Sequence, residues 1–113
     1  MDPVAKPWYI LEDEKRPGEH LTLTAGDTKY VLAWTQEAAA AAFVLGNPAA
    51  RGLVPSKLDT PALKATFLEA ARRLGATHVL FDYQPGLHQA PAAPIEALKR
   101  ALTPSDPQRK DPA

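Results

Sequence analysis

The sequence predicts a mixed α/β (α+β) domain. It should hold a mixed sheet of four to five strands with an N-terminal antiparallel meander, then helical crossovers, two main helices and a short C-terminal helix. Three observations lead there. Strand-forming runs separated by short turn segments fill the first third of the chain. Two segments with helical periodicity and clear start and stop residues follow. A late apolar run, His78-Val79-Leu80-Phe81-Asp82-Tyr83, comes after the second helix, and a strand reached across a helix implies a parallel pairing.

Trp8-Tyr9-Ile10-Leu11-Glu12 is rich in strand formers and runs into the charged segment 13–16, after which Pro17-Gly18 supplies turn chemistry. Leu21-Thr22-Leu23-Thr24 alternates with period two, the pattern of a strand with one wet face, and Gly26-Asp27 makes the next turn. Tyr30-Val31-Leu32-Ala33-Trp34 is apolar on both faces, as in a central strand. Trp8, Tyr30 and Trp34 are expected to stack on neighbouring strands of this meander.

Thr35 is placed to cap a helix over residues 36–45. Five consecutive alanines and Phe43 give that helix high propensity and a thin polar face, and Gly46 with Asn47-Pro48 stops it. Residues 53–58 (Leu53 to Leu58) fit a loop or a short edge strand, since Pro55 is excluded from a sheet interior. In the second helix Thr60 is the cap, Pro61 takes the favoured first position, and Gly75 ends it after Arg72-Arg73. Leu63, Phe67, Ala70, Ala71 and Leu74 recur at helical spacing, which turns Lys64, Glu69, Arg72 and Arg73 toward water. After the turn Gln84-Pro85-Gly86, a short helix over residues 94–102 sets Ile95, Leu98 and Leu102 on one stripe. Residues 1–102 thus form one globular domain. Residues 103–113, with three prolines and no apolar side chain larger than alanine, form a disordered tail.

The chain has 113 residues, 13 Lys+Arg against 13 Asp+Glu, and no cysteine. Zero net charge removes a global attraction to nucleic acid or anionic membrane. Without cysteine there is no thiolate catalysis and no Cys-ligated zinc or iron–sulfur centre. No apolar stretch approaches the roughly 20 residues that span a bilayer, and the first seven residues lack a signal-peptide core, so a cytoplasmic protein is expected.

Chemistry-bearing residues are sparse. His78 and Asp82, four apart on a strand, project from one face, and a carboxylate there would raise the basicity of the imidazole. They form the best acid–base pair and the alternative to a binding role, a small enzyme. His20 and His88 complete the histidines, but no two of the three sit at the short spacings of a metal site, so no metal is expected. Glu12-Asp13-Glu14 lacks the alternating ligands and the glycine of a calcium loop. No glycine-rich phosphate loop or dinucleotide fingerprint occurs, and no cofactor is expected. A nucleic-acid role would need a basic face drawn from Arg16, Arg51, Lys64, Arg72, Arg73 and Arg100.

The passage Ala33-Trp34-Thr35-Gln36-Glu37-Ala38 into an Ala-rich helix, and the late strand running into Gln84-Pro85-Gly86, resemble the N-terminal domain of the SseB-type (enhanced serine sensitivity) bacterial proteins. In those, a strand enters a Thr/Ser-capped helix and a late strand ends in an Asn-Pro-like turn. The resemblance covers residues 30–86, with Gln84 in place of the Asn. It implies a mixed α/β fold and transfers no functional site, and a small uncharacterised bacterial family of similar layout fits as well. With no assembled catalytic or cofactor signature and a thin polar face on the first helix, the expectation is a small non-enzymatic binding module that self-associates or takes a protein partner, through the Ala-rich helix or an open sheet edge.

Twelve prolines with a single Met and a single Asn match the composition of thermophile proteins. Calorimetry of the purified chain should give a midpoint above the ~45–65 °C of mesophile domains; a midpoint inside that window removes the thermophile assignment.

Overall fold

The computed structural model describes residues 5–13, 16–84 and 90–102. Seven strands and three helices follow one another: β1 (Trp8–Asp13), β2 (Arg16–His20), β3 (Thr22–Ala25), β4 (Thr28–Ala33), α1 (Glu37–Gly46), β5 (Val54–Leu58), α2 (Pro61–Arg73), β6 (His78–Phe81), β7 (Ala92–Pro94) and α3 (Ile95–Leu102), with a 3-10 turn at Pro48–Ala50 between α1 and β5. The mixed α+β class is as the sequence predicts, and residues 54–58 are a strand. The expected tail, 103–113, and the Pro85-Gly86 part of the late turn lie outside the described residues.

The strands divide between two sheets, one in the order β2-β1-β5 and one in the order β3-β4-β6-β7. Within the second, β4 and β6 run parallel, Tyr30 opposite His78 through Ala33 opposite Phe81. The two apolar runs therefore lie side by side with α1, β5 and α2 between them in the chain. The meander is split: β1 pairs antiparallel with β2 and β5, and β3 pairs with β4. An antiparallel bridge joins the sheets, in which the Tyr9 N–H donates to Trp34 O at 2.6 Å and the Trp34 N–H to Tyr9 O at 2.8 Å. Pro17-Gly18, expected as a turn, belongs to β2. That strand is an edge, where a missing N–H need not break the ladder.

Side-chain alternation in β4 and β6 feeds two cores. Val31, Val79 and Phe81 join Trp8, Ile10, Phe67, Leu68, Ile95, Leu98 and Leu102 on the α2/α3 side. Leu32, Trp34 and Leu80 join Leu11, Ala40 and Phe43 on the α1 side. The tryptophans thus belong to different layers and do not stack together. Trp8 meets Phe67 and Phe81 edge-on at 6.2 and 5.4 Å between centroids, while Trp34 lies against Phe43 at 5.0 Å.

Helix α2 starts as predicted, with the Leu63 N–H donating to Thr60 Oγ1 at 3.1 Å. It ends in a left-handed Gly75 (φ +92°). Bonds from Gly75 N–H to Arg72 O and from Ala76 N–H to Ala71 O complete a Schellman motif. Lys29 of β4 adds a cation at this end, its ammonium donating to Leu74 O at 2.6 Å. One expectation for this helix is reversed. Lys64 is only 4% exposed, whereas Leu63 is 44% exposed. The Lys64 stem lies against Trp8, its ammonium 5.1 Å from the ring centroid and donating to Lys6 O at 2.6 Å. A carbonyl and an aromatic face replace water for this cation.

Helix α3 is an amphipathic rod whose buried residues are Ile95, Leu98 and Leu102. Its wet side is tied to α2 by Lys99 Nζ–Glu69 Oε2 at 2.5 Å and Arg72 Nε–Glu96 Oε2 at 3.2 Å. The Lys99 hydrogen bond and charge, with smaller help from Arg72 and Arg73, hold the Glu69 carboxyl below the usual carboxylate range. A lowered folded-state value means that the contribution of Glu69 to stability is present above the unfolded-state pKa and fades as pH falls through the folded one. Urea titrations of wild type and Glu69→Gln should therefore differ at pH 7 and converge near pH 3, the gap remaining small because the pair is exposed. A gap that widens on acidification contradicts this arrangement.

Candidate functional site

Parallel strands direct their carboxyl ends to one place, where ligands of open α/β sheets gather. Here those ends are Thr35, just past β4, and Asp82, just past β6. Asp82 has φ +60°, a left-handed conformation that aspartate tolerates better than most residues. Its N–H donates to Ala33 O at 2.9 Å. The turned backbone presents the carboxylate to Thr35: the Thr35 N–H donates to Oδ1 at 2.8 Å and its hydroxyl to Oδ2 at 2.9 Å. Trp34 Nε1 donates to Tyr83 O at 2.9 Å, and Gln84 Nε2 donates to Ala39 O of α1 at 2.7 Å.

Thr35 is consequently not the cap of α1. The N-cap is Gln36, without a side-chain cap bond, because the Thr35 hydroxyl is spent on Asp82. Sequence spacing alone could not separate these outcomes, since both put a hydroxyl at the mouth of the helix. Chemically the cluster is a clamp. The Asp82 carboxylate holds the exit of β4 against the exit of β6.

His78 is elsewhere. It opens β6, one end of that strand from Asp82, about 13 Å of extended chain away. Its Nδ1 lies 2.8 Å from the Thr77 hydroxyl, and its ring lies 5.7 Å from that of Tyr30, its register partner. The structure brings His78 and Asp82 to separate partners and not to each other. The His20 side chain and His88 lie outside the described residues, and among the described residues no three His, Asp or Glu side chains group to hold a metal. Two of the six cations named for a basic face are taken up by the fold: Lys64 is buried against Lys6 and Trp8, and Arg72 is engaged by Glu69 and Glu96. No helix among the described residues is long and apolar enough to cross a membrane.

Two surfaces have features that the fold does not consume. The first is the outer side of α1. Ala40 and Phe43 are buried, while Ala38, Ala42 and Leu45 face outward, Leu45 at 89% exposure. Ala38, Ala42 and Leu45 fall at i, i+4 and i+7, one stripe of the helix. β5, on which α1 packs, is an edge strand. The second surface is a cleft between the β2-β1-β5 sheet and α2, with a volume of about 280 Å³.

Together these features define a small two-sheet α+β domain in which the Thr35–Asp82 cluster clamps two strand exits together. Residues 5–99 match the family model described as "Protein of unknown function (DUF3234)", and the chain belongs to that family. A search of curated proteins finds no match.

The clamp is measurable. Asp82→Ala removes the carboxylate and places a poorly tolerated side chain at positive φ, so urea denaturation should show a loss of roughly 2 kcal/mol or more. Asp82→Asn keeps an acceptor and the left-handed tolerance and should lose less. Equal and negligible losses would mean that the clamp holds nothing.

Proposed function

We propose that this protein is a small non-enzymatic interaction module that self-associates through the outer face of α1. The observation that carries the proposal is the absence of any polar side chain from Ala38 to Gly46 combined with the outward stripe Ala38, Ala42 and Leu45. Helices with a dry inner face ordinarily turn charged residues outward, and this one turns alanine and leucine. A second copy is the occupant that suits such a face. Two α1 helices related by a two-fold axis would present identical stripes to each other, and alanine permits close approach of the backbones. The face carries no charge to be left unpaired on burial.

The edge strand β5 supplies the boundary of the same surface. Tyr9 spends both its N–H and its C=O on Trp34, so the alternate residues of β1 point their backbone groups to β5. By that alternation the position of Pro55 that lacks an N–H falls on the free edge, which disfavours strand addition there. Helix packing is therefore favoured over sheet extension as the mode of association. The layout shared with SseB-type N-terminal domains belongs to the same proposal, supported by the passage from β4 into α1 and by β6.

Light scattering over a concentration series should show a dimer forming at micromolar to high-micromolar protein. Leu45→Glu combined with Ala42→Glu should return it to monomer with unchanged circular dichroism. A strict monomer at millimolar wild-type protein, or a dimer indifferent to both charges, contradicts the assignment.

A further inference from the structure

The cleft between α2 and the β2-β1-β5 sheet lies in the α2 layer, on the opposite side of the sheets from α1, and is independent of the association surface. Its floor is Ile10, Leu58 and Phe67, all buried, and Leu63 forms a half-exposed wall. Ile10 is opposite Ser56 and Glu12 opposite Val54, so Ile10, Glu12 and Ser56 share one face of the pleat. The Thr66 hydroxyl on the α2 side is committed to Ala62 O at 3.0 Å. Glu12 and Ser56 are not committed: neither side chain makes a hydrogen bond or ion pair among the described residues. Lys57, opposite Tyr9 and so of the other parity, is exposed and borders the cleft from the free edge of β5, where water and salt screen its charge.

A half-buried carboxylate with no partner among the described residues, next to a hydroxyl and above an apolar floor, complements an ammonium group attached to an apolar body. An anion would meet Glu12 repulsively, and a purely apolar molecule would leave the carboxylate desolvated without compensation. The volume lies at the lower end of small-molecule sites, which limits the body to one ring or a short branched chain. We infer that this cleft is a binding site for a small primary amine with an apolar body. Its ammonium is held by Glu12 and Ser56, and its body rests on Ile10, Leu58, Leu63 and Phe67.

Trp8 is a built-in reporter, because its ring lies edge-on to Phe67 beneath the cleft. The 113-residue protein is titrated with 2-phenylethylamine and, separately, with the neutral 2-phenylethanol. Tryptophan emission and the methyl resonances of Ile10, Leu58 and Leu63 are followed. The amine should bind at submillimolar concentration, with methyl shifts confined to the cleft, and the alcohol about tenfold or more weakly. Glu12→Gln should abolish that preference, and Ala70→Leu, which narrows the cleft, should weaken both ligands while the fold checked by circular dichroism is kept. Equal affinity for amine and alcohol, or an undiminished amine affinity in Glu12→Gln, overturns the assignment of the cation. Absence of any shift in the cleft methyls at 10 mM amine overturns the site itself.

Discussion

The parallel pairing of β4 with β6 is the constraint from which the remaining architecture follows. Two strands apolar on both faces cannot lie at a surface, so each face must be covered. The chain between them supplies α1 for one face and α2 for the other, and α3 completes the second layer. Trp34 and Phe43 anchor one layer and Trp8, Phe67 and Phe81 the other. A large side chain lost from either strand would open a cavity in one layer while leaving the other intact.

Because the pairing is parallel, both strand exits come to the same end of the sheet, and the chain must leave there without unravelling it. Asp82 achieves this through a backbone conformation few residues accept, with its carboxylate closing on Thr35. The same end fixes the start of α1, since Trp34 and Gln84 bond across to Tyr83 and Ala39. At the opposite end Lys29 of β4 and the Gly75 motif end α2 against the start of β6. Polar groups in both places do structural work, which is why the clearest acid and base of the late strand are not assembled as a pair.

What remains after that accounting is informative about function. Glu69, Arg72, Glu96 and Lys99 pair with one another, Lys64 serves Lys6 and Trp8, and Asp82 serves Thr35. Among the described residues, the outer stripe of α1 and the Glu12–Ser56 cleft present chemistry that the fold does not use. The proposed association of copies uses the first and the proposed small-molecule recognition the second, and the two lie on opposite sides of the sheets.

Local sequence by itself determined those elements whose physics is local. The Thr60-Pro61 start and Gly75 stop of α2, the Ile95-Leu98-Leu102 stripe of α3, and the doubly apolar character of β4 and β6 are consequences of capping, periodicity and burial acting over a few residues. Even the parallel neighbourhood of β4 and β6 was legible, because an intervening helix leaves few other connections. Tertiary structure decided everything that depends on a distant partner. It divided the meander between two sheets, placed Pro17-Gly18 in an edge strand, took Thr35 from the helix cap to Asp82, and buried Lys64 beside Trp8 while exposing Leu63. In each case the residue had two satisfactory partners or environments, and only the packing of segments remote in the chain selected one. The Glu12–Ser56 cleft is the extreme instance. It joins β1, β5 and α2, elements whose separate patterns contain no sign that a gap would remain between them.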